Sequence, residues 1–267
     1  MWRITLRELK DRKWSLLAYC VGSLALLWMY AATFTSAQNS TQQLQELVKT
    51  YPKGLLDAIG LSNLSMNTIE MYLNAKHFSL LWPLLAIILA LSRAGSQIAG
   101  EAQNGTMGLL LSLPLTRLRL YVAKYCTGLL TIVAFTSVSV FGIIPLAAAY
   151  SVPTHIHVLV SAWVLTTLFM WSIYTFALAV SARVKEKGTT YAVTGGLLVI
   201  LYAAYILSLI VDTLHTLKYV SPFYYFNTQQ VLTTGHLETA SLVFFGAVIL
   251  ITTLLGCWQF CTKDFDV

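Results

Sequence analysis

Residues 125–182 read YCTGLLTIVAFTSVSVFGIIPLAAAYSVPTHIHVLVSAWVLTTLFMWSIYTFALAVSA and contain no Asp, Glu, Lys or Arg. A helix that crosses a membrane needs about 20 mostly apolar residues, so this stretch is too long for a single crossing. Pro145 and the turn at 151–154 (Ser-Val-Pro-Thr) divide it. The stretch therefore predicts two membrane-spanning helices, at about 122–149 and 156–182.

The composition of the whole chain leads to the same class of protein. Of its 267 residues, 57% are hydrophobic and only 10% are charged, whereas a soluble globular domain averages about 25% charged residues. The net charge is +6, but the basic residues lie in short stretches between apolar segments rather than on one soluble module. We interpret them as topology signals and contacts to anionic lipid, with no nucleic-acid partner.

The remaining apolar stretches complete an all-α integral membrane fold, a single transmembrane domain over 1–267. Four more spans are predicted, at about 14–34, 77–96, 189–211 and 239–261, the second of them interrupted by Pro83 and with Arg93 near one end. They leave two external segments, at about 36–76 and 212–238. The fold prediction is thus six transmembrane helices joined by short inner loops and longer outer ones.

The N-terminal segment 1–13 precedes the first span. Trp2, Leu6 and Leu9 recur at helical spacing with basic residues between them, which predicts an amphipathic helix lying in the inner interface. A cleavable signal peptide is the alternative, because Thr35-Ser36-Ala37 resembles a cleavage site. The apolar stretch before it is longer than a signal-peptide core, which favours a retained helix.

Basic residues in the loops predict the orientation. One side of the predicted membrane carries Arg3, Arg7, Lys10, Arg12, Lys13, Arg93, Arg117, Arg119, Lys124, Arg183, Lys185, Lys187 and Lys263. The other side carries Lys49, Lys53, Lys76 and Lys218, although it has the longest loop. By the positive-inside rule, both termini face the cytoplasm of a cell membrane, and we expect a prokaryotic one.

The stretch between the second and third spans, GEAQNGTMGLLLSLPLTR (residues 100–117, called the inner segment), carries the most specific pattern. Asn104-Gly105 predicts a turn, and a short helix can follow from Thr106 to Leu113. Pro114 ends that helix because proline cannot continue it, and Thr116 is placed to cap the next one. A short apolar helix at the inner surface needs a cover, either lipid or a groove on another protein.

This pattern resembles the signature of ABC type-2 permeases. The matching positions, in order, are Glu101, Gly105-Thr106, Leu109 to Leu111, Leu113-Pro114, Thr116-Arg117 and Lys124. The amphipathic N-terminal helix, six spans and internal termini extend the resemblance over most of the chain. The run at 102–104 (Ala-Gln-Asn) departs from it, because many members carry more charge there.

The resemblance implies the membrane subunit of an ATP-driven exporter. It implies two permease subunits, identical or paralogous, and two ATPase subunits that bind ATP and magnesium. The short helix of the inner segment would be a coupling helix seated in a cleft of the ATPase. The implied interface residues are Glu101 as an anchor, Gly105, Thr106, Leu109, Leu110, Leu111, Leu113 and Pro114 around the helix, and Arg117, which would fix the turn that follows or contact the partner.

Other functions lack the residues that they need. The chain has no G-x-x-x-x-G-K-[ST] sequence, and Lys187-Gly188-Thr189-Thr190 only echoes its end, so any ATPase must be another chain. We predict no catalytic, metal-ligating or cofactor-binding residues, and read the His155/His157 pair as interfacial. An ion-coupled transporter or channel is the main alternative, although no mid-membrane charge is visible. An intramembrane enzyme is a weaker one. The uncharged spans favour an amphipathic or hydrophobic substrate.

Overall fold

A computed structural model describes residues 2–39, 74–112, 114–149 and 154–263. This part of the chain is helical throughout and contains no β-strand. The helices of the first half are α1 (Trp2–Asp11), α2 (Lys13–Asn39), a π-helical segment (Asn74–Leu81), α3 (Trp82–Gln97), α4 (Ala99–Gln103) and α5 (Met107–Leu111). Those of the second half are α6 (Arg117–Phe141), α7 (Ile143–Ala149), α8 (Ile156–Arg183), α9 (Lys187–Ile210), a 3-10 helix (Asp212–Val220), α10 (Pro222–Tyr225), α11 (Thr228–Thr234) and α12 (Thr239–Thr262).

Four of these helical stretches are long and apolar enough to cross a membrane. They are Arg117–Ala149, Ile156–Arg183, Lys187–Ile210 and Thr239–Thr262. They correspond to the predicted spans three to six, except that the third begins at Arg117, five residues before the predicted start. The all-α membrane class is therefore confirmed, and the count of six stays a prediction.

The first two predicted spans differ from expectation in their form. The segment predicted at 14–34 lies within the longer helix α2. The segment predicted at 77–96 is divided, because its first turns are π-helical up to Leu81 and the α-helix begins at Trp82. Pro83 stands in the first turn of α3, where its missing N–H leaves no bond unmade. Most of the predicted external segment 36–76 lies outside the described residues.

Helix α8 forms the centre of the bundle. It packs against α12, α3, α6 and α9, and its side chains are buried around most of its circumference. Helix α12 presents one face to it, along which Phe245, Ile249 and Phe260 are buried. Helix α9 lies at the periphery, where Val199 and Ile200 are more than 60% exposed. Apolar side chains that face outward in this way suit a lipid surface or another apolar protein surface.

The helices α6 and α8 approach closely at Gly128. A Cβ atom built on Gly128 would overlap the ring and hydroxyl of Tyr174. The Tyr174 hydroxyl is fully buried and donates to Gln97 Oε1 at 2.6 Å, so the ring has no free space to move into. The absence of a side chain at Gly128 is therefore needed for this helix crossing.

We expect Gly128→Ala to lower the free energy of unfolding by about 1–3 kcal/mol, the usual cost of overpacking a tight core. Thermal unfolding of the purified chain in detergent measures it. Gly246→Ala is the matched control, since a Cβ there meets no atom within 4 Å. It should change stability by less than about 0.5 kcal/mol. Equal melting temperatures for the two variants would contradict the tight crossing.

Candidate functional site

The inner segment (residues 100–117) forms two short helices separated by a turn. Asn104 ends α4, and Gly105 follows with a φ of 70°, the left-handed conformation that glycine adopts most readily. Thr106 then precedes α5, which covers Met107–Leu111. The turn predicted at Asn104-Gly105 is confirmed, and the helix is shorter at both ends than predicted.

Thr106 and Glu101 close this turn. The Thr106 hydroxyl donates hydrogen bonds to the Glu101 carbonyl and to the Glu101 carboxylate. The Thr106 N–H also donates to the Glu101 carbonyl at 3.0 Å. These two residues, both in the predicted interface, therefore set the angle between α4 and α5.

The apolar residues of α5 divide between the core and the surface. Met107 is buried at 3% exposure, and Leu110 and Leu111 are half-buried against the core. Leu109 is 72% exposed and extends away from the rest of the chain. Leu113, which was also predicted to be at the interface, lies outside the described residues, and Pro114 is exposed. Leu109 is thus the leucine of α5 that is free to enter a groove on another surface.

Lys124 joins the inner segment to the N-terminal helix. Its side chain is fully buried within the second turn of α6, and its ammonium lies 2.8 Å from Glu8 Oε1 and 3.7 Å from Glu101 Oε1. A buried cation is tolerated only when it is paired. The sequence predicts Lys124 as one of the basic residues that lead into the third span, and nothing in the local pattern indicates that two distant carboxylates share it.

Other polar groups hold the backbone around Lys124. Gln97 donates from Nε2 to the Lys124 carbonyl at 2.9 Å and accepts from the Tyr174 hydroxyl. Thr5 of α1 donates to the Ala123 carbonyl at 3.3 Å. Helices α1, α3, α6 and α8 therefore meet at this position through hydrogen bonds between side chains and backbone.

A polar cavity of about 190 Å³ opens beside this cluster. It is lined by Glu8, Asp11, Arg12, Arg93, Ser96, Gln97, Glu101 and Thr127. Arg93 is 3% exposed and donates from Nη2 to the carbonyl of Arg12 at 3.3 Å. The cavity therefore separates α1 from α3 and α4 with carboxylates and guanidinium groups on both sides.

Arg117 connects the end of the inner segment to the last helix. Its guanidinium donates to the carbonyls of Cys261 and Lys263, at 3.2 and 2.6 Å, at the C-terminus of α12. A cation is favourable there because the last helical carbonyls lack partners and carry partial negative charge. Thr116 caps α6 as predicted, accepting from the Arg119 N–H. The predicted role of Arg117, to fix the following turn or to contact the partner, stays a prediction, and the structure adds this contact to the end of α12.

Substituting Arg117 by alanine should release the end of α12 and lower the free energy of unfolding by about 1 kcal/mol. A charge-assisted hydrogen bond contributes more than this when buried, but Arg117 is only half-buried. Limited proteolysis of the purified chain near residue 263, together with its melting temperature, measures the release. Arg119→Ala, an exposed position in the same helical turn, is the control. Equal cleavage of the two variants would show that Arg117 does not hold the C-terminus of α12.

Further basic residues lie at the end of α8, near the contact between Arg117 and α12. Lys263 donates from Nζ to the Val184 carbonyl at 3.0 Å, which caps the C-terminus of α8. Burial lowers the pKa of Lys263, and the nearby cations Lys185 and Arg183 lower it further. The inner segment therefore lies at a basic end of the helix bundle.

His155 and His157 lie close together at the start of α8. The rings of His155 and His157 lie 5.7 Å apart between centroids, and both side chains are exposed. Within the described ranges, no group of three or more His, Cys, Asp or Glu side chains is arranged to hold a metal ion.

Comparison with known proteins places the whole chain in one family. A family model described as "ABC-2 family transporter protein" matches residues 2–265. A search of curated proteins gave no match. The match covers the N-terminal helix, the inner segment and all four candidate spans.

Proposed function

Because the chain belongs to the family of ABC-2 family transporter proteins, we propose that it forms the translocation pathway of an exporter driven by a separate ATPase. The family makes the chain a membrane permease of an ABC transporter rather than an enzyme.

The observation that carries the proposal is the position of Leu109. It stands 72% exposed on a short helix whose neighbours are anchored in the core, at the basic end of the bundle. An apolar side chain held out on a rigid element is suited to a groove on a partner. The basic residues around it support a cytoplasmic location for this end and for both termini. An ATPase subunit is the partner that reaches this side of the membrane.

The contacts of the inner segment with other helices support a role in transmitting movement from the ATPase to the membrane spans. Glu101 accepts a hydrogen bond from Thr106 and lies near Lys124 of α6. Arg117 holds the end of α12. Gln103 Oε1 accepts from the Lys187 N–H at the start of α9. A push on α5 would therefore reach α6, α9 and α12 together. In the proposed cycle, two ATPase subunits close on ATP and magnesium, and each pushes the inner segment of one permease subunit.

The proposal also includes six spans and a pair of permease subunits. Helix α2 covers the first predicted span, and the π-helical segment with α3 covers the second. The exposed apolar faces of α9 and α12 suit lipid or a second, identical or paralogous permease. Of the six predicted spans, only 77–96 and 122–149 contain a charged residue, Arg93 and Lys124, and this composition favours an amphipathic or hydrophobic substrate.

Co-purification tests the coupling proposal. The full chain, extracted from membranes in mild detergent, should bring down a P-loop ATPase expressed with it, and the complex should hydrolyse ATP at a rate different from that of the isolated ATPase. If no ATPase associates while the chain remains folded, the proposal fails. The ion-coupled transporter would then be favoured, with the buried charges Lys124 and Arg93 as its first candidates for an ion path.

A further inference from the structure

The Lys124 ammonium is shared by carboxylates from two separate elements. Glu8 comes from α1, and Glu101 comes from α4 in the inner segment. Glu8 depends on this contact, because its other oxygen, Oε2, is buried and has no hydrogen-bond partner among the described residues. The two elements are thus linked through one buried cation, although no direct side-chain hydrogen bond between α1 and α4 is described.

Two further polar contacts hold helix α1 and the residue just after it. Thr5 donates to the Ala123 carbonyl next to Lys124, and the Arg12 carbonyl just after the helix accepts from Arg93. The opposite side of α1 is open, with Leu6 45% exposed. An amphipathic helix with an exposed leucine fits the surface of the inner leaflet. Its movement would therefore act on the membrane surface and on the inner ends of α3 and α6.

We propose that Lys124 is a positioning residue that makes α1 move with the inner segment when the ATPase closes. This inference rests on the proposed coupling of the inner segment to an ATPase. Closure of the ATPase on ATP would then move helix α1 as well as the spans that the inner segment contacts directly.

The buried charge gives the physical reason for this linked movement. Separating the ammonium from either carboxylate would remove one of the two partners that compensate a fully buried charge, which is unfavourable. Glu8 and Glu101 are only 22% and 29% exposed, so water replaces the cation poorly. The polar cavity between α1 and α4 leaves space in which this unit can shift without breaking the contacts of the apolar core.

Hydrogen–deuterium exchange on the complete complex tests the link. The permease with its ATPase is compared without nucleotide and trapped with ATP and vanadate, following the amides of residues 3–11 and 99–111. In the wild type, both regions should change their exchange on trapping. In Lys124→Met, residues 99–111 should still respond while the response of residues 3–11 is lost. The nucleotide-free exchange of α1 should rise about tenfold, as expected for losing a charge-assisted bond.

A second pair of variants keeps the test decisive if Lys124→Met does not fold. Glu8→Ala removes the carboxylate from α1 and should also abolish the response of residues 3–11. Asp11→Ala is the matched control, because it also replaces a carboxylate of α1 by alanine. The Asp11 side chain is 67% exposed, and among the described residues it forms an ion pair with Arg7 at 4.0 Å. Asp11→Ala should preserve the response.

The outcomes separate the two proposals. If residues 99–111 respond to nucleotide and residues 3–11 do not respond in the wild type, Lys124 does not link them and this inference is overturned alone. It is also overturned if α1 still responds in Lys124→Met or Glu8→Ala. If residues 99–111 themselves show no response in an assembled complex, the coupling proposal fails and this inference fails with it.

Discussion

Lys124→Met is expected to lower the free energy of unfolding of the isolated permease by about 3 kcal/mol. Methionine nearly preserves the length and volume of the side chain and removes the charge. Glu8 and Glu101 then lose the cation that compensates them at 2.8 and 3.7 Å. Removing one partner of a buried ion pair costs about 3–5 kcal/mol, and we take the lower end because both carboxylates retain some contact with water.

A double-mutant cycle measures the same pairing without relying on a single variant. Glu8→Ala and Lys124→Met should together cost about 1–2 kcal/mol less than the sum of the single substitutions, because the second removal no longer breaks the Lys124–Glu8 pair. Thermal unfolding in detergent provides the four stabilities. Arg7→Ala, which breaks the exposed pair with Asp11, is the control and should cost less than about 0.5 kcal/mol. Strict additivity would show that Lys124 and Glu8 do not interact in the folded protein.

Leu109→Asp is expected to weaken association with the ATPase by about 10- to 100-fold or more and to leave the permease folded. The side chain is 72% exposed, so the isolated chain loses little packing. In the complex, a buried leucine would contribute about 1.5–3 kcal/mol, and an aspartate would also have to lose its hydration. A tenfold change in affinity corresponds to about 1.4 kcal/mol. Binding of the purified ATPase to the permease in nanodiscs measures the affinity.

Leu217→Asp is the matched control for this prediction. It makes the same change on the 3-10 helix Asp212–Val220, which the charge distribution places on the opposite side of the membrane, at a position that is 38% exposed. ATPase affinity should be unaffected. A loss of binding in both variants would indicate general damage, and undiminished binding by Leu109→Asp would remove Leu109 from the interface.

The sequence predicted the local form of the inner segment well because short-range rules determine it. Asn104-Gly105 forms the turn, Thr116 caps α6, and α5 ends before Pro114, each for a reason that lies within a few residues. The long uncharged stretch likewise identified the third and fourth spans. Turn, capping and proline preferences act over a few residues and do not depend on tertiary packing.

Contacts between distant elements could not be predicted in this way. Lys124 was expected at a membrane edge, but it is buried because Glu8 and Glu101 converge on it from either side in the chain. Arg117 was predicted to fix the following turn or to contact the partner, and its hydrogen bonds to the carbonyls of Cys261 and Lys263 could not be predicted from the sequence. Leu110 and Leu109 were equivalent in sequence, and only the packing of α5 shows that Leu109 is the exposed one.

The second predicted span shows a limit of hydropathy reasoning. The sequence predicts a span at 77–96 that is interrupted at Pro83, and in the structure α3 begins at Trp82, one residue before this proline. The π-helical form of the turns up to Leu81 is not predicted by the sequence pattern. Apolar composition indicates that a segment lies in the membrane, but it does not indicate whether its helix is of the α or the π type.

Photocrosslinking from position 109 tests the central claim most directly. A photoreactive phenylalanine analogue replaces Leu109 in one sample and Leu217 in another, in the full chain assembled with its ATPase in membranes. We predict a crosslink to the ATPase chain from position 109 and none from position 217. If position 109 crosslinks only to lipid or within its own chain while the ATPase remains bound, the short helix of the inner segment does not couple the two proteins.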